Sequence, residues 1–227
     1  MFRDNYHAAV RFNTDIGAAV LVCEIKASQS IVYASFRSRP MITIVSGLPR
    51  SGTSLMMQML VAGGMSPLTD SERAADTDNP RGYFEWERVK QLPSDPHCIA
   101  QAENKVVKVI SRLLLALPSG YQYRVVFMQR PLPEVMASQD QMLRRRGTYK
   151  EGTNLDVISR AFQKHLGEVY TWLDGNPDVQ ALRIPYRDVL QDARGIGQKL
   201  TAFLGLELNL EAMVGQVDGS LYRNRTN

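Results

Sequence analysis

The sequence predicts an α/β domain of three layers, a mostly parallel central sheet with helices on both faces. Three observations carry this. Three short runs, 41–45, 106–110 and 124–129, are apolar and β-branched without alternation, as strands buried on both faces are, and 179–184 reads as a fourth strand. Segments of helical period separate the later runs, where an antiparallel sheet would need only tight turns. The first run passes through a glycine loop straight into a helix, a junction that gathers backbone amides at one point.

The 227 residues, 44% hydrophobic and 22% charged, suit one large domain with its own core. Residues 1–40 carry no clear pattern and are expected to form a weakly ordered N-terminal extension. The single α/β domain is expected to span 41–227. The apolar stretch 16–22 is too short for a signal sequence and has no convincing cleavage site.

The first strand, 41–45, ends at Ser46 and Gly47. Gly47 and Gly52 allow positive φ and a close approach to a ligand, while Pro49 stiffens the turn. Thr53 or Ser54 should open an amphipathic helix with Leu55, Met59 and Leu60 on one side, and Met56 near them. Gly63 and Gly64 then stop it. An acidic connector, 70–78, leads to Asn79-Pro80-Arg81-Gly82, a turn, after which 84–92 suits a short helix. The second and third strands follow, then a helix with Pro133 in its first turn that runs to about Arg146 before Gly147. A long helix over 155–173 repeats Ile158, Phe162, Leu166, Val169 and Leu173 as a core stripe. The fourth strand leads through Tyr186 into a last helix that ends at Gly205.

Ligands of such folds collect beyond the carboxyl ends of the strands, where Arg50, Lys108 and Arg130 all fall. Gly47-x-x-x-x-Gly52 has the spacing of a P-loop, yet Thr53 stands where that motif needs lysine, and the cation, Arg50, lies inside the loop. The simplest alternative is an ordinary strand-to-helix turn. A nucleoside triphosphatase or kinase fits poorly, since both the lysine and an aspartate at the end of the third strand are missing.

The segment Pro49-Arg50-Ser51-Gly52-Thr53-Ser54 resembles the 5′-phosphosulfate loop of sulfotransferases that use 3′-phosphoadenosine 5′-phosphosulfate (PAPS). Arg130 closing the third strand, with Ser138 eight residues on, resembles that family's 3′-phosphate site. The resemblance covers about residues 41–225 and is nearest to bacterial sulfotransferase-like proteins, which similarly carry an Asn-Pro-basic-Gly-Tyr-aromatic-Glu segment and a Leu-Tyr-Arg tail. It implies a P-loop-containing sulfotransferase-like fold and transfer of a sulfuryl group from PAPS to a hydroxyl or amine, leaving adenosine 3′,5′-bisphosphate, without a metal. It implies that Gly47, Arg50, Ser51, Gly52, Thr53 and Ser54 hold the 5′-phosphosulfate, that Arg130 and Ser138 hold the 3′-phosphate, and that Arg223 or Arg225 closes over the nucleotide. Arg50 and Lys108 are the implied electrophilic residues.

Cytosolic members carry Lys-Thr-His after the second strand, the histidine acting as base. Here Lys108-Val109-Ile110-Ser111 lacks it. Other members use a Glu downstream of the loop helix, so Asp70, Glu72 and Glu85 are the candidate bases, each with an ordinary solvated role as the alternative. Glu85 ranks first because its aromatic, turn-rich setting is expected to desolvate it. His97 and His165 rank below these acids, and His165 is expected at a surface or boundary position of its helix. A non-catalytic relative that only binds nucleotide is the remaining reading.

Composition narrows the partners. The net charge is +4, but residues 105–150 carry nine Lys or Arg against two acids, whereas 63–104 carry eight acids against four bases. That asymmetry fits a polyanionic small molecule on one side and a base on the other. Nucleic-acid binding is disfavoured because aromatics are not interleaved with the basic residues. No run approaches the roughly 20 residues of a membrane span. Cys23 and Cys98 match no metal or disulfide framework, so a cytoplasmic setting is expected. Acceptor identity and oligomeric state are not encoded in any motif.

Overall fold

The computed structural model describes residues 9–12, 19–22, 40–70, 82–149 and 155–218. Contacts divide the chain into two units, Met1–Arg39 and Pro40–Asn227. In the first, strands β1 (Ala9–Phe12) and β2 (Ala19–Val22) pair antiparallel. The second unit holds everything that follows.

Its centre is strand β3 (Met41–Gly47), which leads into helix α1 (Thr53–Ala62). A two-residue strand β4 (Pro67–Leu68) and two 3₁₀ segments, Glu87–Gln91 and Pro96–Ala102, precede strand β5 (Val106–Lys108). Helix α2 (Ser111–Leu114), strand β6 (Gln122–Gln129), helices α3 (Leu132–Arg145) and α4 (Leu155–Gly175), and strand β7 (Val179–Pro185) come next. Helices α5 (Tyr186–Gln191), α6 (Ala193–Leu204) and α7 (Leu210–Val214) close the described chain. The sheet order is β4-β5-β3-β6-β7, with every pairing parallel. The expected parallel three-layer fold is therefore present, with β4 as an edge strand the sequence did not reveal. From β3 the chain goes out to the edge at β4, returns to β5 beside β3, then crosses to β6 on the opposite side. The switch of direction thus lies at β3 and β6, where open α/β sheets leave a crevice for ligands.

Alternating residues of the central strands feed two cores. Ile42, Ile44, Val125 and Phe127 pack with Trp86, Leu92, Ile99, Leu114, Val169 and Leu173 on one face. Val45, Val126 and Met128 pack with α1, α5, α6 and Met213 on the other. Each such fully buried side chain contributes about 1.5–3 kcal/mol relative to exposure, which explains why these strands carry no polar alternation.

Three expectations are corrected. Helix α1 is not one-sided: Met56, Met57, Met59 and Leu60 are all buried while Leu55 is only half-buried. The reason is α7, which covers the side away from the sheet; Asn209 N–H donates to Gly63 O (3.0 Å), and a Cβ on Gly63 would lie 3.0 Å from the Met213 side chain. Along α4, Val169 and Leu173 are buried and Leu166 packs against them, but Ile158 and Phe162 are half-buried outside both cores. A 21-residue helix of about 31 Å outruns an eight-residue strand of about 26 Å, so its first turns have little sheet beneath them. The segment expected as a helix over 84–92 narrows to the 3₁₀ turn Glu87–Gln91. Among the described residues no helix is long and apolar enough to cross a membrane.

Candidate functional site

The register of β3 on β6 pairs Gly47 with Met128, so the loops after the two strands emerge side by side. The β3–α1 loop turns tightly: Ser51 N–H donates to Leu48 O (3.1 Å), and Arg50 and Gly52 take φ of +69° and +100°. Both loop glycines are sterically required. A Cβ on Gly47, at φ +152°, would sit 2.4 Å from Ser51 Oγ and 2.7 Å from Met128 O. One on Gly52 would sit 2.4 Å from the Tyr186 ring. Helix α1 opens at Thr53 with no side-chain cap and no acid in its first turn, leaving its leading amides for an external anion. Ser51 Oγ is buried without a hydrogen-bond partner among the described residues, a hydroxyl the fold itself does not satisfy. The cradle thus fits an oxyanion.

The second expected anchor meets the first directly. Arg50 Nε donates to Ser138 Oγ (3.0 Å), and an Arg130 guanidinium NH donates to Arg50 O (3.0 Å). Ser138 is on α3, Arg130 just beyond β6, and Arg50 in the loop after β3, so three separate segments converge on one spot at the switch point. Arg130 is held from behind. Its Nε donates to Glu134 Oε2 (2.9 Å), one turn along α3, and its guanidinium lies 5.0 Å from the centre of the Tyr186 ring. The Glu134 side chain is 0% exposed and that of Arg130 8%. Arg187 approaches the other Glu134 oxygen at 4.0 Å.

On the β5 side, Lys108 Nζ donates to Ser54 Oγ (3.1 Å) and Tyr83 O (3.0 Å). Glu85 Oε1 lies 3.7 Å from the same ammonium, with side chains 10% exposed for Lys108 and 28% for Glu85. Glu85 is therefore the expected acid that the structure brings to the loop, but not in the desolvated setting expected for it: it faces a cation. Asp70 is placed otherwise. Its carboxylate accepts from the Glu87 N–H at the start of the 3₁₀ turn. Glu72 and Arg223, with Arg225, lie outside the described residues.

Tyr186 is the site residue that sequence reasoning passed over. Its ring packs beneath Gly52 and beside Arg130, touching both anchors. The available signal was its place directly after β7, at the same carboxyl end of the sheet as Arg50, Lys108 and Arg130.

His165 is half-buried on α4 and shares a hydrogen bond with Ser111 Oγ (2.9 Å). Burial holds its pKa below the ordinary imidazole value of 6.5; Glu168 opposes this and Arg112 adds to it. A base whose pKa falls on folding binds protons more readily when unfolded. Its contribution to stability is complete above pH 6.5 and is lost as pH drops toward the folded value. Urea unfolding of the protein between pH 7.5 and 5.5 is expected to show this loss, and His165→Gln should remove that part of the pH slope.

No protein-family model matches the sequence, and no curated protein sequence matches it. Solved structures do. A sulfotransferase from Mycobacterium tuberculosis aligns at TM-score 0.53 and 17% identity over 79% of this chain and 71% of that one. A mouse sulfotransferase in complex with PAP aligns at 0.49 and 18%, over 79% and 63% of the two chains. The sulfotransferase domain of a Synechococcus olefin synthase aligns at 0.47 and 17%, over 82% and 81%. The Mycobacterium tuberculosis likeness shows that the chain has the sulfotransferase fold.

Proposed function

We propose that this chain is a sulfotransferase that moves the sulfuryl group of PAPS to a hydroxyl or amine of an acceptor. The observation that carries the reading is the contact of the two anion anchors, Arg50 Nε on Ser138 Oγ at 3.0 Å with Arg130 on Arg50 O at 3.0 Å. A ligand with one phosphate group at the β3–α1 loop and another at Arg130 and Ser138 suits a pair of adjacent anion subsites. An isolated strand-to-helix turn would need only the first.

In this reading the amides of Gly52 to Ser54 and the Ser51 hydroxyl bind the 5′-phosphosulfate, and Arg130 with Ser138 binds the 3′-phosphate. The acceptor oxygen forms a bond to sulfur as the bond from sulfur to the bridging oxygen breaks, and that electron pair stays on the departing nucleotide. Arg50 and Lys108 neutralise the charge that grows on the bridging oxygen, so the transfer as proposed uses no metal. Glu85, 3.7 Å from Lys108, takes the proton from the acceptor hydroxyl.

The test is the release of adenosine 3′,5′-bisphosphate from PAPS in EDTA, with 2-naphthol, a simple sugar alcohol or water alone as acceptor. Saturable, protein-dependent release is expected. A rate no higher than that of buffer under all three conditions would refute the assignment.

A further inference from the structure

We infer that Thr69 and Asp70 are positioning residues for Glu85: they clasp its peptide from the β4 edge and thereby fix where its carboxylate stands. This rests on the reading of Glu85 as the base. Thr69 Oγ1 donates to Glu85 O (2.8 Å), and Asp70 N–H donates to the same oxygen (3.3 Å). The Asp70 carboxylate then takes the Glu87 N–H, so one short segment grips the chain at Glu85 and again two residues later.

The clasp is placed by the sheet. β4 pairs Leu68 with Val107 on β5, which sets Thr69 next in register to Lys108, the cation that Glu85 faces. Its grip also meets resistance. Phe84 holds φ +52°, a left-handed conformation that costs a bulky residue about 1–2 kcal/mol. Such strain persists only where the surroundings over-determine it. They do here: the partly buried Phe84 side chain packs against the core on the α1 face, and Trp86 is buried in the core on the α4 face. Glu85 is thus stretched between two anchors in opposite layers, with its carbonyl tied by Thr69 and Asp70. Its side chain is left beside Lys108. Neither Thr69 nor Asp70 is needed to touch substrate for this; the Thr69 hydroxyl acts on the carbonyl of Glu85 and the Asp70 carboxylate on the Glu87 N–H two residues on.

The experiment measures turnover, as adenosine 3′,5′-bisphosphate released from PAPS with water or 2-naphthol as acceptor, beside the thermal shift given by adenosine 3′,5′-bisphosphate. Thr69→Val and Asp70→Ala are expected to lower kcat by about 10- to 100-fold, the scale of an ångström of misplacement at a reacting group. The nucleotide-induced shift should stay at the parent value. Thr69→Ser and Asp70→Asn keep the hydroxyl and the acceptor oxygen, and should return kcat to near the parent rate. In a Glu85→Gln background Asp70→Ala should add no further loss, because the two act through one group. Parent turnover in Thr69→Val and Asp70→Ala overturns the clasp. So does equal loss of turnover and nucleotide binding, or an Asp70→Ala cost that persists without Glu85. If Glu85→Gln itself turns over at the parent rate, the base assignment fails and the clasp with it; if only the Thr69 and Asp70 variants are silent, the clasp alone fails.

Discussion

Arg130→Leu is expected to cost the fold about 3–5 kcal/mol, the range for stripping one partner from a buried ion pair. The cause is Glu134, whose side chain is 0% exposed and whose Oε2 accepts from Arg130 Nε at 2.9 Å. Arg187 also approaches Glu134, but at 4.0 Å from Oε1 and 52% exposed it is too distant and too solvated to replace the lost bond. The double variant Arg130→Leu with Glu134→Leu removes both charges and should recover most of the lost stability. It should not recover affinity for adenosine 3′,5′-bisphosphate, because the proposed 3′-phosphate site has lost its fork. Urea unfolding of both variants, together with nucleotide titration, separates the two roles. An Arg130→Leu protein as stable as the parent would show that Glu134 does not depend on this arginine.

Arg50→Ala acts on the chemistry instead. Its backbone carbonyl still accepts from Arg130 after the substitution, so the loop keeps that tie. The guanidinium is what disappears, and kcat is expected to fall about 10²–10³-fold, as when one preorganised charge-stabilising group is removed. Arg50→Lys should recover only part of this, since a lysine presents a point charge without the fork that reaches Ser138. Ser138→Ala is expected to differ in kind. It removes a hydroxyl from the proposed 3′-phosphate site, raising KM for PAPS by roughly tenfold or more, the worth of a hydrogen bond to a charged group, with less effect on kcat. Steady-state kinetics of the three variants checks the split; equal kcat for the parent and Arg50→Ala would remove Arg50 from the mechanism.

Much of this was legible because it is local. The unbroken apolar runs gave β3, β5 and β6, since a strand with a core on each face has no solvent side to record; β7, at the sheet edge, exposes Gln180 and Arg183. The loop from Gly47 to Ser54 carries its own geometry in its glycines. What sequence could not supply is whatever depends on a distant partner. β4, only Pro67 and Leu68, is too short for any period to form. The all-round burial of α1 is set by α7, some 150 residues later. Glu85 was found as a candidate by its position, but its neighbour Lys108 arrives from another strand, and so its setting is ionic where aromatic neighbours had suggested a dry one. The meeting of Arg50 with Ser138 is likewise a fact of register: only when Gly47 pairs with Met128 do the two loops lie together.

The central claim is that two adjacent phosphate subsites, one at the β3–α1 loop and one at Arg130 and Ser138, accept a single 3′-phosphorylated nucleotide without metal. Calorimetric titration in EDTA tests it most directly, comparing adenosine 3′,5′-bisphosphate with adenosine 5′-monophosphate. One-to-one binding of the bisphosphate is expected, with the monophosphate weaker by at least about tenfold for the lost charged hydrogen bonds. Equal affinity for the two nucleotides, or binding only of ATP with magnesium, would contradict the account.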